Sequence, residues 1–464
     1  MRISSIVNFK RVFVCFILCL LIAGNQAITQ ESYPLKLKVD KQTLTKELKK
    51  TSLDKTSKEK IINWISEKLN EIYVFPDVAK KMENHIRSKF KDSAYDSVSE
   101  IAEYAQVLTQ DLQDISHDKH LRVRHAPIPA PGEDASDEDK ARRQQQRLEQ
   151  MKYNNFAFKK AEQLVGNVGY LRFDGFVDAK WGGDTAIAAL NFLAYCDALI
   201  IDLRDNGGGS PSMIQLITSY FFDESKHINS FYIRKTDKIQ QFWTSAHVKG
   251  KRMTGVDLYV LTSSRTFSAA EEFTYNLKNM KRATIVGETT GGGAHPVDYH
   301  QNNDLKIGIS VPFGRAINPI SGTNWEGTGV EPDVKTSRED AFDTAYRLAL
   351  KNLHEKAKGP RKVQLKWMLE YQEKRSNPVH VSIEKLKTYV GKYGPRKITL
   401  EQGKLYYQRE GNPKFALFAI TEDTFGLDEL EYFRIRFEKN ASEKIVAILG
   451  LYDDGTKDRS PKDK

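Results

Sequence analysis

The sequence predicts an α/β protein. An N-terminal helical bundle comes first, a mostly parallel sheet with helices packed on it follows, and a small antiparallel β domain closes the chain. Three observations carry this expectation. Between Val168 and Val311, short apolar runs alternate with helical repeats, as in strand–helix–strand units. The run Ala198–Leu203 (ALIIDL) is almost continuously apolar, as parallel strands buried on both faces are. From Leu386 onward, short β-rich runs are separated by Gly, Asn and Asp turns.

The 464 residues are enough for two or three domains. The composition, 40% hydrophobic and 28% charged, is that of a soluble globular chain. The net charge of +10 is spread along the sequence without a nucleic-acid-reading motif, so it reads as a solvated surface and argues against a nucleic-acid partner. At the N-terminus, Arg2, Lys10 and Arg11 flank the apolar stretch Val12–Ala23, and small residues Ala23, Gly24 and Ala27 follow. This is the layout of a secretory signal peptide spanning residues 1–27. The apolar run is shorter than the about 17–25 residues of a spanning helix, and no later segment has the length. The expectation is an exported chain, in a periplasm or at the cell surface, with no stable membrane span after cleavage. Cys15 and Cys19 leave with the signal, which rules out an intrachain disulfide in the mature chain. The remaining Cys196 lies in the apolar stretch Leu193–Ile201 and reads as core. An exported chain without disulfides fits a bacterial compartment.

Taken in order, residues 28–55 are polar with a β-like Leu35–Val39. Three helical repeats follow: Ile61, Ile62, Ile65, Leu69 and Ile72; Val78, Met82, Ile86 and Phe90; and Ile101, Ala105, Leu108, Leu112 and Ile115. They form a bundle, giving a helical domain over residues 28–125. At Ser116–Val123 a helix gives way to a strand, with His117 and His120 near the junction. Residues 126–155 hold the Pro-, charge- and Gln-rich stretch Ala126–Gln150 and read as an exposed linker or mobile loop.

The core, residues 156–352, begins with the strand Val168–Phe173 and the helix Ala186–Tyr195. Ala198–Leu203 then runs into the glycine loop Arg204–Pro211 and a helix bearing Met213, Ile214, Ile217 and Phe221. Backbone N–H groups in such a loop can approach a ligand closely. The loop lacks both the P-loop lysine and the dinucleotide spacing, so no nucleotide is implied. The next unit repeats the arrangement. Leu258–Leu261 is a strand, Thr262–Thr266 a polar turn, and Ala269, Phe273, Leu277 and Met280 mark a helix. Ser268 therefore sits where strand becomes helix, beside free N–H groups and the positive helix end. That setting suits a nucleophile whose product is an oxyanion. Ser268 and Glu271 also spell a capping box, S-x-x-E, an ordinary helix start. Thr284–Gly287 is a further strand, followed by a third glycine loop, Gly291–His295. In parallel sheets ligands collect at the carboxyl ends of strands, so the three loops converge there. Ile307–Val311 is a strand, and the turn-rich Pro319–Asp333 carries Glu326. Phe173, Phe176 and Trp181 read first as core packing, with the lining of a substrate groove as the alternative. Residues 339–375 are helical, residues 353–384 form a helical connector, and residues 385–464 form the β domain, with strands at Lys404–Gln408, Ala416–Ile420, Tyr432–Phe437 and Lys444–Leu451. No metal-spaced cluster appears, so no metal or organic cofactor is expected.

Three blocks, DLRDNGGG (Asp202–Gly209), TSSRTFSAAEE (Thr262–Glu272) and GETTGGG (Gly287–Gly293), resemble in order and spacing the signature blocks of the tail-specific, or C-terminal-processing, serine peptidases. The resemblance covers roughly residues 100–335. It implies a peptidase core of the ClpP/crotonase type, with Ser268 as nucleophile. It also implies an oxyanion hole from the backbone N–H groups of Ala269 and of the Gly207–Gly208 turn. Two departures define the branch. Gly293 stands where many members carry a catalytic lysine, and the interval from His120 to Val168 is too short for a PDZ domain. The chain is thus similar to the PDZ-less branch that includes the tricorn core protease and the interphotoreceptor retinoid-binding protein. In that pattern His120 is the base and Glu326 the supporting carboxylate, with His295 as rival base. The implied function is an exported serine peptidase acting on polypeptides or peptides. The alternatives are a non-catalytic binding protein for apolar ligands or peptides on the same fold, and an anchoring or sugar-binding role for the β domain.

Overall fold

The computed structural model describes residues 53–128 and 136–463. The signal-peptide expectation, Cys15, Cys19 and the β-like Leu35–Val39 lie outside the described residues. Helices α1 (Lys55–Ile72), α2 (Pro76–Lys91) and α3 (Ile101–Ser116) form the expected bundle. Asp54 caps α1 by accepting the Ser57 N–H at 2.7 Å, and Pro76 opens α2, where a missing N–H costs nothing. The helix α3 ends at His117, whose left-handed backbone (φ 55°) turns the chain into β1 (Arg122–His125).

Past β1, residues 137–153 depart from the expected linker or mobile loop. They form α4 (Asp137–Tyr153), a helix capped by Ser136 and burying none of its residues. Its stability comes from within: the Ser136 cap, three acidic residues in the first turn and i,i+3 pairs such as Arg142–Asp139. A left-handed turn at Asn155, Phe156 and Ala157 (φ 48°, 51° and 69°) then reverses the chain into β2 (Phe158–Leu164).

The core elements follow as β3 (Val168–Phe173), α5 (Ala179–Phe192), β4 (Ala198–Asp202), α6 (Pro211–Thr218), β5 (His227–Ile233), β6 (Lys238–Trp243), β7 (Asp257–Thr262), α7 (Ala269–Asn279), β8 (Thr284–Gly287), β9 (Val297–Asn302), β10 (Ile307–Pro312), β11 (Gly314–Ile317) and β12 (Val334–Lys335). The central sheet has the order β12-β8-β7-β4-β3-β2. All its pairings are parallel except β2 with β3, which the short reversal at Val165–Asn167 makes antiparallel. One face packs against α5, α6 and α7 through Leu199, Ile201, Val260 and Phe273; the other packs against α8 (Ala341–Lys356) through Ile200, Tyr259, Ala345 and Leu350. Every residue of β4 is buried, which explains its unbroken apolar run.

Two smaller sheets were not legible as such. The strands β11, β5 and β6 form one, and β1, β10 and β9 the other. Through Ile307, Ile309 and Val311, β10 completes the hydrophobic core of the N-terminal bundle. The bundle is therefore closed by residues far along the chain, not by residues 28–125 alone. That shared core is what brings the α3–β1 junction to the carboxyl ends of the central strands.

Beyond α8, α9 (Gly359–Ser376) and α10 (Ile383–Tyr389) lead to an eight-stranded antiparallel meander, β13 (Gly391–Tyr393) to β20 (Lys457–Pro461). It is fastened to α9 by Arg434, which stacks on Trp367 at 3.7 Å and pairs with Glu370 at 2.9 Å. Among the described residues, no helix is long and apolar enough to cross a membrane.

Candidate active site

Ser268 is the N-cap of α7, but its backbone is not that of an ordinary cap. An N-cap residue sits in the β region; Ser268 has φ 56° and ψ −122°. A non-glycine residue in this region is strained by roughly 1–3 kcal/mol and persists only where its surroundings hold it. Those surroundings are visible. The Ser268 N–H donates to Glu271 Oε2 at 2.9 Å, the half of the capping box that runs back from the helix. The Phe267 N–H donates to the Asn206 carbonyl at 3.0 Å, tying the turn to the first glycine loop.

That loop touches the serine. A Cβ on Gly208 would lie 2.7 Å from Ser268 Cβ and 2.9 Å from the Ala269 nitrogen, and Gly208 has φ 102°. Only glycine permits both the backbone conformation and the approach. The Ala269 and Gly207 N–H groups have no acceptor among the described residues. The Gly208 N–H, expected as an oxyanion donor, is instead held by Asn206 Oδ1 at 2.9 Å, an Asx turn that shapes the loop. Asn206 is fully buried, and its amide donates to the Phe173 carbonyl at 2.8 Å.

Glu271 does more than cap. Its buried carboxylate accepts from Ser268 N, from Gly293 N at 2.9 Å, from Gly292 N at 2.6 Å and from Thr290 Oγ1 at 2.5 Å. One side chain thus clamps the serine turn to the third glycine loop. Burial pushes its carboxyl above the usual range, and the four donors oppose that shift. The loop is also stitched to the segment bearing Glu326. Trp325 Nε1 donates to the Gly293 carbonyl at 2.8 Å, and Gly327 N to the Gly292 carbonyl at 3.1 Å.

Around this loop the structure gathers His120, His295, Glu326 and Asp118, drawn from three distant stretches. The Asp118 carboxylate is buried; its Oδ1 accepts the His120 N–H at 3.0 Å, and its Oδ2 accepts from His295 Nδ1 at 2.6 Å. Glu326 Oε2 accepts the Ala294 N–H at 2.5 Å and lies 3.5 Å from His295 Nδ1. The His120 ring lies against Phe267, the residue before the serine, with centroids 4.6 Å apart. Its Nδ1 is buried without a partner, as is Glu326 Oε1. No hydrogen bond joins Ser268 Oγ to either imidazole among the described residues.

Burial pushes His120 down to about 4, only partly offset by Asp118, so its imidazole is neutral at pH 7. His295 shifts the other way. Burial lowers its pKa, but the Asp118 hydrogen bond and charge, with Glu326 adding to them, raise it above the ordinary value. Burial and the nearby Asp118 charge lift Glu326 to about 7. Ligand-type atoms of Asp118, His120 and Glu326 all lie within 4.8 Å of one another, a set that could hold a metal ion. Spacing alone does not reveal this cluster, because Glu326 lies far along the chain from the Asp118–His120 pair.

Gly293, at the position of the lysine found in many tail-specific peptidases, is closed to any side chain. A Cβ there would lie 2.3 Å from Phe267 Cζ and 2.8 Å from His120 Cε1. Of the expected aromatics, Phe173 and Phe176 are buried in the core, whereas Trp181 is half-buried and lines a groove beside Gly208. Sequence reasoning missed Asp118, although it lies two residues before His120, and saw in Glu271 only the cap.

A strained serine between a parallel strand and a buried helix, fronted by a glycine loop and a histidine–carboxylate cluster, defines a serine-hydrolase type of site. Comparison with known proteins narrows this class. Residues 167–336 match the model of peptidase family S41, and residues 41–159 match the N-terminal domain of peptidase S41 in eukaryotic IRBP. The matches support a serine-type peptidase domain of the S41 kind over residues 167–336, preceded by an S41-type N-terminal domain over residues 41–159. It is similar to the chloroplastic carboxyl-terminal-processing peptidase 1 of Arabidopsis thaliana, 27% identical over 182 residues, 39% of this chain and 36% of that protein. It also resembles a putative tricorn-like protease C-terminal subunit of Sulfurisphaera tokodaii, 25% identical over 210 residues, 42% of this chain and 22% of that protein. The chain thus spans well under half the length of either curated relative. Among solved structures, the photosystem II D1 C-terminal processing protease matches 37% of this chain and 43% of its own at 25% identity and a TM-score of 0.31. A putative peptidase from Parabacteroides merdae matches 64% and 96% at 17% identity and a TM-score of 0.46.

Proposed function

We propose that the protein is an exported serine peptidase that hydrolyses peptide bonds through an acyl-enzyme on Ser268. The observation that carries the reading is the Ser268 backbone, held at φ 56° and ψ −122° with Gly208 packed against its Cβ. A helix cap has no need of this conformation; a hydroxyl presented to a substrate carbonyl does.

In the proposed cycle the His120 imidazole, neutral at pH 7, takes the Ser268 hydroxyl proton as Oγ attacks the scissile carbonyl carbon. The negative charge moves to the carbonyl oxygen, where the Ala269 and Gly207 N–H groups receive it. Collapse of this intermediate breaks the C–N bond, and the imidazolium gives its proton to the departing amine. Water then repeats the sequence on the ester, releasing the acid and restoring the serine. Glu326 and Asp118 stabilise the transient imidazolium. The second reading makes His295 the base, favoured by its 2.6 Å bond to Asp118, which resembles a histidine–aspartate dyad. The raised pKa of His295 and the packing of the His120 ring against Phe267 favour His120. The export element of the proposal rests on the Arg2–Ala27 sequence alone and is checked by N-terminal sequencing of the mature protein.

The test is cleavage of casein and of a peptide library by the mature wild type and by Ser268→Ala, His120→Ala and His295→Ala. The proposal expects wild-type cleavage, a dead Ser268→Ala and a dead His120→Ala, with residual turnover in His295→Ala. Loss of turnover in His295→Ala alone would transfer the base role to His295. Wild-type inactivity on every substrate would remove the peptidase reading.

A further inference from the structure

We infer that the groove between α4 and the Gly208–Ser210 loop is the pocket for the substrate residue beside the scissile bond, and that it selects a carboxylate there. The inference rests on the peptidase reading of Ser268 and adds to it a site and a ligand chemistry. The groove encloses 720 Å³ and is continuous with Gly208, whose backbone packs against the serine. Its floor is Gly208, Gly209 and Ser210. Gly209 is held there by a parallel bridge to Phe176, in which the Ser210 N–H donates to the Phe176 carbonyl at 2.6 Å. A Cβ on Gly209 would lie 2.1 Å from that carbonyl oxygen, so the floor must be bare backbone.

One wall is the face of α4 that carries Gln144, Arg147 and Met151, spaced i, i+3 and i+7 and therefore aligned on one stripe. The lining also includes Lys180 and Trp181, in the first turn of α5. An exposed polar helix with no buried residue needs a reason to stand where it does. The left-handed turn at Asn155–Ala157 supplies the means. Three consecutive non-glycine residues at positive φ are each unfavourable and persist only where their surroundings hold them. Phe156 is anchored nearby, with its Cβ 3.1 Å from where a side chain on Gly182 would begin. This strain fixes the exit direction of α4 beside the groove.

Charge decides what the groove takes. Among the described residues, neither Arg147 nor Lys180 has a carboxylate partner; Lys180 lies only over the Trp181 ring, 5.0 Å away. The one acid in the lining, Asp178, is already engaged, accepting the Lys180 backbone N–H at 3.0 Å and Ser210 Oγ at 3.3 Å. Two cations without carboxylate partners among the described residues line the same groove over a bare backbone floor, together with Met151 and Trp181. An aliphatic stem ending in a carboxylate matches this lining: the stem packs on Trp181 and the charge meets the guanidinium and the ammonium. The carboxylate can come from a Glu or Asp side chain or from a free chain terminus.

The test uses the full mature chain on matched peptides with Glu, Gln or Lys beside the cut bond, each as a C-terminal acid and as an amide. Two variants accompany the wild type: Arg147→Gln/Lys180→Gln and Arg147→Glu/Lys180→Glu, with folding checked by circular dichroism and melting. The wild type is expected to cut Glu over Gln peptides by about tenfold or more in kcat/KM, shrinking in high salt. The neutral variant should lose this preference, and the reversed variant should prefer Lys. An acid-over-amide preference in place of Glu-over-Gln would assign the pocket to the chain terminus. Equal cutting of all peptides by the wild type, or a preference that survives in both variants, would overturn the pocket assignment and leave the peptidase reading standing. No cutting of any peptide, together with no acylation of Ser268, would overturn the peptidase reading and the pocket with it.

Discussion

Gly293→Ala isolates the geometry on which the proposed base depends. The backbone at Gly293 is not in the left-handed region, so alanine meets no conformational penalty there. The obstacle is space. The new Cβ would stand 2.3 Å from Phe267 Cζ and 2.8 Å from His120 Cε1, where ordinary carbon contacts are about 3.5–4.0 Å. Phe267 must retreat by about 1 Å, and the His120 ring lies against it at 4.6 Å, so both rings move. Overpacking of this kind destabilises by about 1–3 kcal/mol. A base misplaced by about 1 Å costs about 100-fold in rate, or about 2.7 kcal/mol of barrier. Gly291→Ala is the control: its Cβ would meet Phe267 Cδ2 at 2.7 Å, and its three nearest atoms belong to Phe267 and Thr266, not to His120. The assay is kcat/KM on one fluorogenic peptide, with a melting curve for each variant. The expected result is a fall of about 100-fold in Gly293→Ala and a much smaller fall in Gly291→Ala, both chains remaining folded. Wild-type kcat/KM in a folded Gly293→Ala would refute the placement of His120 as base.

Three further outcomes follow from the same geometry. Burial holds His120 near 4, against an ordinary 6.5, so between these values the unfolded chain binds the extra proton and stability rises with pH, by roughly 3 kcal/mol at most. Glu326 is raised from 4.5 to about 7, so the folded chain holds its extra proton and stability falls as pH rises through that window. The two slopes oppose each other in the wild type. The two nearly cancel between pH 4.5 and 6.5, so Glu326→Gln should uncover a rise of stability with pH there and His120→Gln a decline, both read by denaturant melts across pH. Glu271→Gln replaces an acceptor of the four-donor clamp with an NH2 group; a loss of about 2–3 kcal/mol and a lowered kcat are expected, and unchanged stability would remove the clamp. Because Ser268 sits at φ 56°, Ser268→Gly should be more stable than Ser268→Ala by about 1 kcal/mol in a thermal melt, and equal stability would deny the strain.

The legibility of the chain divides along physical lines. The three N-terminal helices and the strands β3, β4, β7 and β8 announced themselves through local periodicity, which the fold obeys. The helix α4 did not, because a polar helix that buries nothing has no apolar stripe to read. The strands β5 and β6, with β11, were not read; β6 is exposed along most of its length, which blurs the alternation a half-buried strand shows. Ser268 was legible because a strand-to-helix turn is a local feature. The Asp118–His295 bond and the Glu271 clamp were not, because they join residues 177 and 21–22 positions apart. Gly208 was placed correctly beside the serine, but its N–H is taken by Asn206, a competition that only coordinates reveal.

The central claim is that Ser268 is an activated nucleophile, and covalent labelling tests it most directly. The mature wild type is incubated with a fluorophosphonate probe at pH 7.5, digested, and the modified peptide sequenced by mass spectrometry. The account predicts a single adduct on Ser268, slowed strongly by His120→Ala and abolished by Ser268→Ala. A folded wild type that takes no label, or takes it at another residue, would contradict it.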